Sequence, residues 1–100
     1  MHSIYDIVEK ASKSGKIDKG INETIKAIER GVAKLVVAAK DVNPKEIIQH
    51  LPLLCKEKGI KYHEADSKQK LGIAIGIGVS CSAIAVINAG DAAKDIAALN

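Results

Sequence analysis

The stretch whose residue types and spacing best suit chemistry is Lys19-Gly20-Ile21-Asn22-Glu23-Thr24-Ile25-Lys26, a glycine-led loop running into a helix. At about 100° per residue, Asn22, Glu23, Lys26 and Arg30 fall on one arc, opposite Ile21, Ile25, Ile28 and Val32. A helix N-terminus offers unpaired backbone N–H groups and the positive end of a dipole, a natural seat for phosphate oxygens. Glu23 can accept from base amino groups, Asn22 can donate and accept, and Lys26 can donate to base or phosphate acceptors. A lysine near that positive end is intrinsically unfavourable, so an acceptor-rich partner would compensate it. On these residues alone, the commoner reading is plainer: Asn22 caps the helix, and Glu23 and Lys26 form a solvated i,i+3 pair.

A second stretch, Ile77-Gly78-Val79-Ser80-Cys81, is apolar and rich in glycine. By itself it reads as a strand entry with a permissive backbone, and the nearby glycines lack the spacing of a dinucleotide site. Other chemistry has little support. There is no HExxH pair, no phosphate-loop pattern and no serine nucleophile elbow. His2, His50 and His63 share no spacing, and His50 suits a packing or capping role. Cys55 and Cys81 form no CxxC pair and sit among apolar residues, which predicts buried free thiols and no metal. Asp66 and Asp91 could serve as acid and base, but carboxylates are too frequent to carry that reading. The expectation is a non-enzymatic protein with no cofactor.

Composition narrows the partners. With no Trp or Phe, and Tyr5 and Tyr62 as the only aromatics, the chain lacks the rings on which single-stranded RNA is stacked by sheet-surface readers. A net charge of +3, from 15 basic and 12 acidic residues, suits an anionic partner without establishing one. The longest apolar run, Gly72 to Ala89, is broken by Gly76, Gly78, Ser80 and Ser82, and reads as a loop into a buried strand instead of a membrane span. Free thiols and the lack of a secretory leader predict a cytoplasmic setting. At 100 residues, 47% of them hydrophobic, one folded domain over residues 1–100 is expected.

The elements that must position these residues follow from periodicity. Ile4, Tyr5, Val8 and Ala11 predict a helix over residues 2–14, stopped at Ser14-Gly15; Lys16 to Asp18 suggests a brief edge strand. A second helix, with Asn22 as its cap, ends at Gly31. Leu35 to Ala39 reads as a strand buried on both faces. Asn43-Pro44 predicts the start of a helix that ends at Gly59, and Pro52 suggests a kink within it. Ile60 to Ala65 alternates as a half-buried strand, and Ser67 caps a short helix to about Ile75. Ala83 to Ile87 is another buried strand, and Asp91 to Leu99 a closing helix. Strand and helix alternate, which predicts an α/β fold: a three-layer α-β-α sandwich around a small mixed sheet of about four strands.

Gly20, Asn22-Glu23, Lys26, Ala27-Ile28-Glu29-Arg30-Gly31 and Ala33-Lys34-Leu35-Val36-Val37-Ala38 resemble the signature of the L-seven-Ae ribosomal protein family, in particular its archaeal members. Asp41-Val42-Asn43-Pro44, His50-Leu51-Pro52-Leu53-Leu54-Cys55, Gly59, Ser67 and Leu71 to Ile87 continue the match, so that it spans roughly Gly15 to Ala89. The resemblance implies a protein that binds kink-turn RNA, a sharply bent stem with tandem sheared G·A pairs. Carried over, Asn22, Glu23 and Lys26 meet those pairs, Lys19 and Gly20 lie close to the phosphate backbone, and Arg30 adds a charge. Ile77, Gly78, Val79 and Ser80 would form the apolar loop beside an extruded nucleotide. Three residues depart from the family pattern: Asp18 where a base is common, Ile21 where a small or hydroxylated residue is usual, and Gly78 where archaeal members often carry glutamate. Gly78 removes an acceptor from the loop.

The implied partners are ribosomal RNA, box C/D and H/ACA guide RNA and ribonuclease P, together with the other ribonucleoprotein subunits; a free monomer and no membrane partner are expected. Two alternatives stand beside it: a small α/β enzyme holding a phosphometabolite at the second helix, and a protein-interaction module with an exposed aliphatic patch near Ile75, Ile77 and Val79.

Overall fold

Ser3 begins the first helix with a reciprocal cap: its hydroxyl accepts from the Asp6 N–H at 3.2 Å, and the Asp6 carboxylate accepts from the Ser3 N–H at 3.4 Å. The computed structural model, which describes residues 3–42 and 49–99, runs from there as α1 (Ile4–Ser14), β1 (Lys16–Lys19), α2 (Ile21–Glu29), β2 (Leu35–Ala39), α3 (Leu51–Lys58), β3 (Lys61–Ala65), α4 (Lys68–Ala74) and β4 (Ala83–Asn88). A 3₁₀ turn at Gly90–Ala92 leads into α5 (Ala93–Ala97).

The strands form one mixed sheet in the order β1-β4-β2-β3. β4 runs antiparallel to β1 and β2, while β2 and β3 are parallel, from Leu35 opposite Lys61 to Ala39 opposite Ala65. All five residues of β2 are buried, as a central strand covered on both faces must be. Alternation divides the core. Leu35, Val37, Ile84 and Val86 face α1, α4 and α5, whereas Val36, Ala38, Ala83 and Ala85 face α2 and α3. The expected three-layer sandwich is therefore present, with a four-stranded mixed sheet.

Several local expectations need correction. The N-cap of α2 is Gly20, not Asn22, because the chain enters the helix at φ 96°, ψ 155°, a conformation open to glycine alone. Val32 does not join the buried face of α2: the helix stops at Glu29, Gly31 turns through φ 71°, and Val32 is left 43% exposed. Pro52 causes no kink within α3, since it occupies the opening turn, where no intrahelical N–H is required. The predicted start at Asn43-Pro44 lies outside the described residues. His50 stands at the N-cap of α3, but its exposed side chain makes no capping bond. The predicted closing helix is shorter than Asp91 to Leu99 because its first turn is 3₁₀.

Lys61 ties this last segment down. Its ammonium donates to the carbonyls of Ile96 at 2.7 Å, Ala97 at 3.1 Å and Leu99 at 2.8 Å, occupying all three of its protons. Two of these carbonyls belong to the last turn of α5, where a cation is also favoured by the dipole, and Ile96 O accepts from the Leu99 N–H at 3.0 Å as well. In Lys61→Met, amide exchange over residues 93–99 should accelerate well before the sheet is affected, with a global loss of about 1 kcal/mol. Unchanged exchange in this segment would show that apolar packing by Ile96 suffices.

Candidate nucleic-acid interface

Antiparallel pairing of β1 with β4 places Lys19 opposite Ile84, so the chain leaves β1 where it enters β4. The Gly20 N–H donates to the Ala83 carbonyl at 2.8 Å, and the Ala39 N–H, at the end of β2, donates to Ser82 at 2.8 Å. These bonds bring Lys19, the start of α2 and the approach to β4 to one end of the sheet.

At that end Gly20 has no side chain with which to cap α2, and no side-chain bond occupies the cap. The first-turn N–H groups are thus left for a ligand or water. Asn22, Glu23 and Lys26 are all exposed. Freed from capping, Asn22 is left exposed in the first turn. Lys26 Nζ lies 3.6 Å from Glu23 Oε1, with the two side chains 57% and 54% exposed. An ion pair so open to water contributes about 0–1 kcal/mol, so an incoming partner can separate it at little cost. Beneath them Thr24, Ala27 and Ile28 are buried, which anchors the polar face to the sheet. Lys26 stands in the last turn of α2, where the dipole favours a cation, and not near the positive end as expected; Arg30, the C-cap, is exposed about 6 Å further along the axis at the rise of an α-helix. It extends the polar face to the C-terminal end of the helix.

The loop before β4 is held from the other side. Ile77 N–H donates to Gly72 O at 3.2 Å and Cys81 N–H to Lys68 O at 2.9 Å, which ties both ends of the loop to α4. Gly78 takes φ 71°, Val79 is 65% exposed and Ser80 is exposed. Ile77 differs: it is half-buried and, like Ile75, packs against the core. The aliphatic patch expected at Ile75, Ile77 and Val79 is thus divided, and Val79 alone of the three points outward. Lys68, Gln69 and Ile73 join Gly78, Val79 and Ser80 around a recess of about 320 Å³. Sequence reasoning missed these three. Ser67 was the available signal, since its cap, accepting from Lys70 N–H at 3.2 Å, puts Lys68 and Gln69 in the first turn of α4 beside the loop.

Cys81 lies buried behind this loop, its thiol donating to Ala83 O at 3.2 Å. Burial pushes its pKa up, against smaller opposing effects of the Gly20 and Ala83 backbone and of Lys19. Cys55 is likewise pushed up, to about 11, by burial. Both are protonated at neutral pH and poor nucleophiles. No group of three His, Cys, Asp or Glu side chains among the described residues is placed to hold a metal ion, and no described helix is long and apolar enough to cross a membrane.

A family model described as "Ribosomal protein L7Ae/L30e/S12e/Gadd45 family" matches residues 2–96. The chain belongs to this family. The match reaches beyond the span from Gly15 to Ala89 on both sides, so α1 and most of α5 are part of the family's fold. Among solved structures, this member of the L7Ae/L30e/S12e/Gadd45 family is similar to a Giardia lamblia 15.5kD RNA binding protein. The two share 35% identity and a TM-score of 0.82, over 95% of this chain and 78% of that one. Membership of a ribosomal protein family agrees with the expectation that the chain is not an enzyme.

Proposed function

We propose that this protein binds kink-turn RNA and holds it bent, using the N-terminus of α2 for the tandem sheared G·A pairs and the Gly78–Ser80 loop for the extruded nucleotide. The observation that carries this reading is the uncapped start of α2 at Gly20, with Asn22 and Glu23 exposed in its first turn and Lys26 exposed within reach of Glu23 one turn on. RNA binding by a similar protein of the same fold supports it. Backbone N–H groups and Lys19 hold phosphate oxygens; Asn22, Glu23 and Lys26 supply donors and acceptors to base edges. Val79 offers an apolar surface to an unstacked base, and the recess beside it, lined by Lys68 and Gln69, has room for one.

The mechanism is a shift of population. Free RNA of this type samples open and bent forms, and a protein that contacts only the bent form favours it by the difference in affinity. The chain would act as a monomeric single domain in the cytoplasm, presenting bent stems to other subunits in the ribosome, guide ribonucleoproteins and ribonuclease P.

The test compares an RNA stem carrying tandem G·A pairs beside a three-nucleotide bulge with the same stem in which those pairs are Watson–Crick. The first should bind more tightly by a factor of about 10³ or more, the ratio typical of specific over non-specific nucleic-acid binding. Affinity for the first should fall steeply with salt as counterions return to the phosphates. Equal, weak binding of the two stems would refute the reading.

A further inference from the structure

At the end of the sheet away from Gly20, the starts of β2 and β3, the end of β4 and α5 enclose an open groove of about 910 Å³. Its wall is aliphatic, including Ala33, Ile60, Ile87, Ala93, Ile96 and Ala97, and contains no aromatic ring. Lys34, Lys58 and Lys61 line it, and among its described lining residues there is no carboxylate.

The groove carries ammonium groups with no carboxylate beside them. Lys10, Lys13, Lys26 and Lys40 each stand within 4.0 Å of a carboxylate. Lys61 is committed to the three carbonyls at the end of the chain. Lys34 and Lys58 make no ion pair among the described residues. The last turn of α3 favours a cation, which accounts in part for Lys58. Lys34 lies in no helix and has no such support. Val32, 43% exposed between two lining residues, adds to the apolar surface.

We infer that this groove docks an acidic, leucine- or isoleucine-bearing peptide segment of a partner protein, with aliphatic side chains on the wall and carboxylates on Lys34 and Lys58. Charge complementarity chooses the partner's sign, and the aliphatic wall chooses its anchors. With no aromatic ring, the groove has no platform on which successive bases of a single strand would stack. Because the groove and the start of α2 lie at opposite ends of the sheet, both can be occupied at once. The inference stands on the groove itself and does not require that α2 bind a kink-turn.

The probe is a short labelled peptide in which glutamates flank leucines, followed by fluorescence anisotropy and by amide chemical shifts of the protein. Saturable binding is expected, with shifts confined to residues around Lys34, Ile60, Ile87 and Ala93. Exchanging glutamate for glutamine or leucine for serine in the peptide, or making Lys34→Glu with Lys58→Glu in the protein, should each weaken binding about tenfold or more. Binding of the RNA stem should be unaffected by the double substitution, and melting of the doubly substituted protein would verify that it is folded. The inference is overturned if no saturable binding occurs, if charge reversal leaves it intact, or if the shifts map elsewhere. It is equally overturned if a uridine oligonucleotide or a second copy of the chain proves to be what fills the groove.

Discussion

Gly72→Ala is expected to lower the melting temperature by roughly 10 °C and to weaken RNA binding with it. In an open helix the same change stabilises, because glycine is about 1 kcal/mol worse than alanine in a helix interior. Gly72 is not in the open: a Cβ there would lie 1.7 Å from Val79 O, 2.8 Å from Val79 C and 3.3 Å from Ser80 Cα. All three are backbone atoms of the loop proposed to meet the extruded nucleotide, and no rotamer change can clear them. Overpacking of this kind costs about 1–3 kcal/mol and sometimes more, which exceeds the propensity gain. For a chain of this length, each kcal/mol corresponds to about 4–8 °C. The loop must move outward, and the Ile77 N–H bond to Gly72 O is strained as it does. Thermal melting and RNA titration of the same preparation measure both effects. A melting temperature equal to or above that of the unaltered protein would mean that the loop yields freely, and the close approach would then have no part in placing Val79.

Glu23→Ala and Lys26→Ala should each reduce affinity for the G·A stem by about 1–3 kcal/mol, roughly 5- to 150-fold, with little change in stability. The contrast follows from exposure. Both side chains are more than half open to solvent and their mutual pair is long, so the free protein loses at most a few tenths of a kcal/mol. In the complex each is expected to meet base-edge groups that would otherwise be left unpaired, and that penalty is larger. The two should differ in salt dependence: losing Lys26 removes a cation and flattens the slope if it touches phosphate, while losing Glu23 leaves the slope unchanged and erodes preference for the G·A pairs. Titrations of both variants at several salt concentrations separate these outcomes. If neither substitution weakens binding to the stem, the start of α2 is not the reading element.

Part of this was legible in the residues. The continuous apolar run Leu35 to Ala39 could only be a strand covered on both faces, and its five residues are all buried. Ser67 marked the start of a helix because a hydroxyl before a polar turn has an N–H to accept, and Lys70 supplies it. The polar arc of Asn22, Glu23, Lys26 and Arg30 followed from 100° spacing and is exposed throughout. For the cap of α2 the residues point to Asn22, because asparagine is a better capping residue than glycine by type. The choice was made instead by the bond from Gly20 N–H to Ala83 O, which fixes the chain direction at the end of β1. Similarly, Ile77 and Val79 are equivalent by composition and two residues apart, yet one packs on the core and the other is exposed. The sequence of a glycine-rich loop has no period from which to tell which side chain turns inward.

Local chemistry therefore determined the order of elements, the two-faced core and the polar face of α2, because each depends on spacing within a few residues. Tertiary structure alone decided which ends of these elements meet. Strand order β1-β4-β2-β3 joins the start of α2 to a loop about sixty residues later in the chain, a pairing set by strand register. It also leaves Lys34 and Lys58 together on an aliphatic groove at the other end, since residues distant in sequence become neighbours only when β2 and β3 run parallel.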